Sequence, residues 1–386
     1  ASIALVLWWL ISLGLSPALT SIEERSADWA WRIYASDSRE RRIILIDIDE
    51  PSLGQLGPWP WPRQRLAELS NRLAAEGVAL QIFDIIFPAA TVQDASLVAS
   101  LQKNHAVLSQ VFAFEAGTQA SSGQPAAPLP WAACPANLPV AKGYIANDAA
   151  FMGLPMGHIT PVIESDGAVR RQPALICHQG KVYPALFVAA LAQVLAAEPV
   201  ALKEGSGLLA PNWQLMGASF DKAGIALDGR AQVRIPWTLQ PDAFISLSAS
   251  DVLSARVPKQ LLDNAWVIVG SSALGLNDRI ASPFSGNSAG LLVHAQLLRG
   301  ALDGTIPVEP RFSGLYAVFT AALGALAMAA LGRLRRKPVF ILVLSALVLS
   351  IGLWFAKGVL LTRFGLWLEW VQPTLYLLLF ALSLSL

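Results

Sequence analysis

Charge is scarce in this chain. Asp, Glu, Lys and Arg make up only 14% of its 386 residues, against about 25% in ordinary soluble proteins, so part of the molecule does not face water. Cysteine is scarcer still. Two residues exclude a disulfide-dense scaffold and any four-Cys zinc site, and leave room for one bridge at most. Residues 21–310 hold 21 Lys and Arg against 26 Asp and Glu, with no basic run among them. A nucleic-acid surface needs clustered cations to displace counterions, so that function class falls away. There is no short repeat, and at 54% hydrophobic residues the chain is too apolar for disorder. Collagen and coiled coil are excluded on the same grounds.

What the chain has instead is four apolar stretches: Ser2–Leu19, Phe312–Leu331, Pro338–Ala356 and Leu366–Leu386. At 1.5 Å per residue each covers most of a hydrocarbon slab about 30 Å thick. Buried core helices are the alternative, but three such stretches crowded into the tail favour membrane spans. Between the second and third lie Arg333, Arg335, Arg336 and Lys337, the cation excess of a cytoplasmic loop. The Lys357–Gly365 segment, with fewer cations, is expected to be an outer loop. Residues 21–310 then lie outside the cytoplasm, between a first helix at 1–20 and three helices within 311–386. A signal peptide is the alternative for Ser2–Leu19, though no basic lead or Ala-x-Ala site marks it. Trp354, Trp367 and Trp370 fall near the predicted outer ends, where indoles anchor, and Glu369 is shallow enough there to reach water. Ser313, Ala317, Ala321, Ala325 and Ala329 put a small residue at every fourth position of the second span, a pattern that lets helices approach closely; common alanine is the plainer reading. The first residue is not Met and the last is an apolar Leu386, from which a longer parent with a cytoplasmic segment beyond is expected.

The middle segment reads as α/β. Arg42–Glu50 and Ala79–Phe87 are buried-strand runs around an amphipathic helix at Pro62–Gly77; Asp94–Lys103 suits a helix and His105–Phe114 a third strand. Ala116–Pro139 is a Gly-, Ser- and Pro-rich excursion. Gly157–Ile163 and Ala168–Cys177 read as a hairpin around Asp166-Gly167, Tyr183–Ala197 as a helix, Gln232–Trp237 as a strand and Ser246–Leu253 as a helix. Ala265–Gly270 is a last buried strand and Ser288–Gly300 a helix. The expected fold is an extracytoplasmic α/β domain with a mixed, largely parallel sheet, plus an all-α transmembrane region of four helices.

Parallel strands bring their carboxyl ends to one rim, where ligands of open α/β sheets bind. Asp47, Asp49, Asp84, Ser271 and Asp278 follow such strands, and a divalent cation or a cationic small molecule fits a rim of that kind, with Arg63 or Arg279 as counter-charge. The plainer alternative is that Asp49 and Asp84 cap turns and pair with Arg63. Catalytic templates fail. Gly270–Leu274 lacks the second glycine of a nucleophile elbow. Gly205–Ala210 has the letters of a dinucleotide loop, but Pro211 denies it a helix. His105, His158, His178 and His294 show no zinc spacing. No catalytic residue and no cofactor is assigned, and the metal question is open. Cys134 and Cys177 are compatible with a bridge in an oxidising compartment and equally with two free thiols. In Trp59–Arg63 (WPWPR) two prolines stiffen a corner before a helix, aligning two indoles to pack or to grip. A transporter ranks last, for want of an ionisable pair in the spans or a broken-helix repeat.

Ile46–Leu53 (IDIDEPSL), Gly57–Arg63 (GPWPWPR) and Phe83–Phe87 (FDIIF) come in a telling order. With Val267–Ala273, Leu276–Asp278 and Gly290–Ala295, the chain resembles the type-two CHASE sensory domain over roughly residues 25–305. The resemblance implies a bacterial membrane receptor: one N-terminal span, an outer sensory domain, usually three further spans and a cytoplasmic output module. From family habit that module is an adenylate cyclase, with a histidine kinase or other kinase as alternative. It implies a homodimer in membrane lipid and an outer small-molecule or protein signal, but no ligand identity. Asp49, Ser52, Trp61, Arg63, Asp84, Asp278 and His294 match its motifs as candidates for folding or sensing. Docking of another envelope protein is the competing function.

Overall fold

A computed structural model describes residues 2–115, 121–194, 199–217, 224–273, 279–333 and 338–385. They form two compact units. One is helical and comprises residues 1–35, 205–212 and 307–386; the other, residues 36–204 and 213–306, is α/β.

The α/β unit is built on six parallel strands: β1 Glu40–Asp47, β2 Leu80–Phe83, β3 Ala106–Ala113, β4 Met156–His158, β5 Phe244–Ser248 and β6 Trp266–Gly270. Their order is β5-β1-β6-β2-β3-β4. Gly143–Ile145 adds to β3 antiparallel and Ser121–Ser122 pairs with it, making the sheet mixed and largely parallel, as expected. The strands are apolar runs because both faces are covered.

In the notation α1–α12 for the helices in chain order, α4 (Arg63–Ala75), α5 (Asp94–Lys103) and α7 (Ala249–Leu253) share one face. There Leu66, Leu69 and Leu73 meet Ile44, Phe83, Leu108 and Val267 in the main core. On the other face lie α6 (Leu186–Val194), whose first six residues are all buried, and α9 (Leu291–Leu302). Both seat themselves on glycine. A Cβ on Gly157 would lie 2.4 Å from Leu186 Cα, and one on Gly270 would lie 2.2 Å from Leu291 Cδ2. Any side chain there would push a helix off the sheet.

Several expectations need correction. Ser246–Leu253 is not one helix: its first residues extend β5 and only Ala249–Leu253 is helical. Tyr183–Pro184 closes a strand, so the helix read from Tyr183 begins at Leu186. Met156–His158 leaves the proposed hairpin to join β3; the antiparallel pair is Val162–Ile163 with Val169–Pro173.

The helical unit departs further. Two helices are long and apolar enough to cross a membrane, α10 over Ser313–Ala330 and α11 over Phe340–Phe364. A third span exists only if α1 (Ser2–Gly14) and α2 (Ser16–Tyr34), bent by 85°, count as one. Four full spans are therefore not present among the described residues. Pro17 explains the bend: it offers no N–H and its ring opposes the carbonyl four residues back. Residues 357–364 are no loop, because α11 runs unbroken from Pro338 to Phe364 and ends where Gly365 adopts φ +60°. The last stretch loses residues 366–370 to irregular chain. What remains is α12, Val371–Ser385, and its 15 residues reach about 22 Å, short of a hydrocarbon core.

Inside this unit Ala4, Ala325, Met328, Leu342, Ala346 and Leu377 form a core. Of the small-residue stripe, Ala317, Ala321 and Ala325 are buried. Ala317 and Ala321 line an apolar cavity of about 250 Å³ with Leu5, Trp8, Val318 and Tyr376. The unit also holds an ionisable pair that the sequence reading did not anticipate. Lys357 Nζ donates to the Glu23 carboxylate and to Ser26 Oγ and sits 4.0 Å from the Trp367 ring centroid. The second Glu23 oxygen accepts the Trp370 and Val371 backbone N–H groups at 3.1 and 2.9 Å, capping α12.

Candidate functional site

The carboxyl end of β6 is where the connections of the sheet part. Its neighbours β1 and β2 lead into helices on the α4/α5 face, while β6 itself leads to α9 on the other. Adjacent strands whose connections part in this way leave a crevice. At this end β1 closes on Asp47 with Asp49 two residues on, β6 is followed by Ser271 and Ser272, and β2 by Asp84.

Asp47 is held by the β6 turn: Oδ1 accepts Ser272 N–H at 2.8 Å and Oδ2 the Ser272 hydroxyl at 2.5 Å. Burial pushes its carboxyl up; Ser272's donations oppose that, the Asp49 charge adds to it and Arg279 subtracts, with a net upward shift. Arg279 reaches the same turn, donating from Nη2 to Ser272 O at 2.7 Å. Asp49 sits at the N-cap of α3, Glu50–Leu56, where Oδ1 accepts Ser52 N–H at 2.9 Å. The same oxygen accepts the Ser248 hydroxyl at 2.9 Å. Ser248 Oγ lies 2.8 Å from Ser52 Oγ, which accepts Ser250 N–H at 3.1 Å. One carboxylate and two hydroxyls thus tie α3, β5 and α7 together.

Asp84 lies deeper. Its side chain is 3% exposed, and Oδ2 is 3.6 Å from His294 Nε2 on α9, beyond hydrogen-bond reach. Its Oδ1 has no hydrogen-bond partner among the described residues. Burial pushes this carboxyl up to about 7.

The remaining candidates go elsewhere. Arg63 does not pair with Asp49 or Asp84. Its Nε donates to Asp94 Oδ1 at 2.9 Å, its Nη2 to Ala89 O at 3.1 Å, and its guanidinium lies 4.4 Å from the Phe87 ring centroid. Asp94 was missed from the sequence. Burial opposes its charge, but the Thr91 N–H, Arg63 and the Thr91 hydroxyl outweigh that and hold its carboxyl below the usual range. The signal was there: Thr91-Val92-Gln93-Asp94 before an amphipathic run has the spacing of a capping box. Trp61 packs inward at 2% exposure, with Nε1 donating to Gly57 O at 2.9 Å and its ring edge-on to Trp59. In the WPWPR corner the Trp61 indole is thus a packing element of the core. Asp278 lies outside the described residues, as do Arg335, Arg336 and Lys337 and residues 116–120 of the long excursion.

Cys134 and Cys177 are bonded, with Cα atoms 5.9 Å apart, pinning the segment after residue 121 to the strand Leu175–His178. Among the described residues no three of His, Cys, Asp and Glu converge as a metal ion requires.

A family model described as the CHASE2 domain matches residues 3–332. No curated protein and no solved structure matches the chain.

Proposed function

We propose, because the chain belongs to the CHASE2 domain family, that it is the receiving half of a membrane signal receptor. CHASE2 is an extracellular sensory domain of signalling receptors. The observation that carries the reading is the layout of the match: it takes in α1, the whole α/β unit and α10, a sensory fold bracketed in the chain by apolar helices. In this reading residues 21–310 lie outside the inner membrane, and the four cations at 333–337 hold the α10–α11 connection in the cytoplasm. A signal in the crevice, a cation or a cationic or hydroxyl-rich small molecule given its carboxylates and hydroxyls, biases the elements leading into α2 and α10. Only a ligand with different affinities for two states can do so. A cytoplasmic output module, an adenylate cyclase or else a histidine kinase, reads the change, and the receptor works as a homodimer.

Cysteine labelling tests the topology. Val92, fully exposed in the α/β unit, is replaced by Cys, and Arg335 in a second variant. A membrane-impermeant maleimide added to intact cells should modify Val92→Cys at once and Arg335→Cys only after permeabilisation. The reverse pattern ends the receptor reading.

A further inference from the structure

One row of residues crosses the sheet beneath α6 and α9. Val269, Phe83, Leu108 and Met156 point into the main core, so by alternation Gly270, Asp84, Ser109 and Gly157 point the other way. The two glycines let the helices down onto the sheet, and the two polar residues between them are sealed under those helices. Asp84 Oδ1 and Ser109 Oγ have no hydrogen-bond partner among the described residues, and neither does either ring nitrogen of His158, the next residue of β4. His158 is 0% exposed and edge-on to Phe112. Polar atoms this deep are normally paired, and leaving several unpaired is costly. Two of them, Asp84 and Ser109, lie where two helices seat on glycine, and that is a feature with a use.

The titratable groups around Asp84 form a short set. At its level β6 brings Gly270 and β3 brings Ser109, neither titratable. α6 brings none. α9 brings His294, β4 brings His158, and Asp47 lies two strands away on β1. Among the described residues no Lys or Arg is in this set, and an ionised Asp84 has the His294 imidazole to turn to, across 3.6 Å.

We propose that Asp84 and His294 form a proton switch inside the α/β unit, in which Asp84 gives up its proton and the buried charge left behind unseats α9. With Asp84 neutral, the row is uncharged and α9 sits flush on Gly270. With Asp84 ionised, the carboxylate must be solvated by movement of His294 toward it or by entering water, and either disturbs the helix. Along the chain α9 is followed by α10, so its seat is well placed for an input. Naming the proton as a stimulus rests on the receptor reading; the titration itself does not.

Burial sets the expected midpoint of Asp84 near its value of about 7. His158, which burial and the neighbouring His294 push down to about 3 from 6.5, has an opposite pH slope that offsets it up to about 6.5. In the full chain in nanodiscs, with carbonyl-labelled Asp, infrared titration should show a protonated carboxylic acid at pH 6 that is lost with a midpoint near pH 7 and is absent from Asp84→Asn. Exchange of the 291–302 amides, corrected for intrinsic rate, should rise about threefold between pH 6.5 and 7, the half-unit in which Asp84 titrates without His158 opposing it. His294→Leu, which leaves the ionised carboxylate no imidazole, should move the infrared midpoint up by about one pH unit or more. An Asp84→Asn-sensitive band that titrates near pH 4, an unmoved midpoint in His294→Leu, or α9 exchange indifferent to the transition would each overturn the switch. Labelling of Val92→Cys is unaffected by any of these results, so the two readings fail separately.

Discussion

The helical unit and the α/β unit both bury a carboxylate, and they treat it in opposite ways. Glu23 is paired with Lys357 and caps α12 with its other oxygen, so its lone pairs are used. Asp84 has an imidazole out of bonding range and an oxygen with no hydrogen-bond partner among the described residues. A buried charge with a full set of partners locks three helices in one arrangement, because removing any partner strands the rest. A buried acid without partners holds its proton instead and so stays responsive to pH. The same residue class makes a fixed joint in one unit and a titratable one in the other.

The largest expected effect breaks the fixed joint. Lys357→Met leaves Glu23 charged and unpaired, and thermal unfolding in detergent should report a loss of about 3–5 kcal/mol. Adding Glu23→Gln should recover most of it, since the stranded charge is then gone. In the α/β unit the comparable staple is covalent. Cys134→Ser opens a bridge between residues 43 apart and should lower urea stability by about 2–4 kcal/mol.

The titratable joint is sharpened by its pH slopes. Asp84 binds its proton more tightly folded than unfolded, so it favours the fold at low pH and loses that contribution as pH climbs from 3.8 to about 7. His158, held down to about 3 from 6.5, destabilises the fold as pH falls through that range. The two slopes offset each other between about pH 4 and 6.5. Asp84→Asn should uncover the histidine, with stability rising by about 1.4 kcal/mol per pH unit across that window. His158→Gln should uncover the acid and give a fall of similar size. Smaller again is the α3 cap: Asp49→Ala should cost about 1 kcal/mol and loosen the Ser52–Ser248 network. Ala321→Leu should have the least effect on stability, because it grows into a cavity. Its expected signature is altered basal output of the intact receptor, and unchanged output removes the stripe from signal transfer.

Much of the sheet could be read from local pattern. Residues 42–50 and 79–87 announced β1 and β2 because strands covered on both faces are continuous apolar runs, and α5 fell on the boundaries expected for Asp94–Lys103. β5 was taken for part of a helix, since Phe244–Ser248 alternates weakly and becomes a strand only through pairing with β1, some 200 residues earlier. The candidate site divides in the same way. Asp49 at a helix N-cap is a local event, and the IDIDEPS motif displays it. The Arg63–Asp94 pair joins residues 31 apart, and nothing in either neighbourhood names the other.

By itself the sequence determined which segments are strands, which are greasy helices and which family they belong to, because periodicity, composition and motif order are properties of neighbouring residues. Tertiary structure alone decided which charges are satisfied. Lys357 looked like a loop residue until α11 carried it to Glu23. Asp84 looked like any strand-end carboxylate until α9 closed over it, with no cation in reach among the described residues. Burial and pairing depend on what the fold brings from hundreds of residues away, and they set whether a carboxylate is a lock or a proton store.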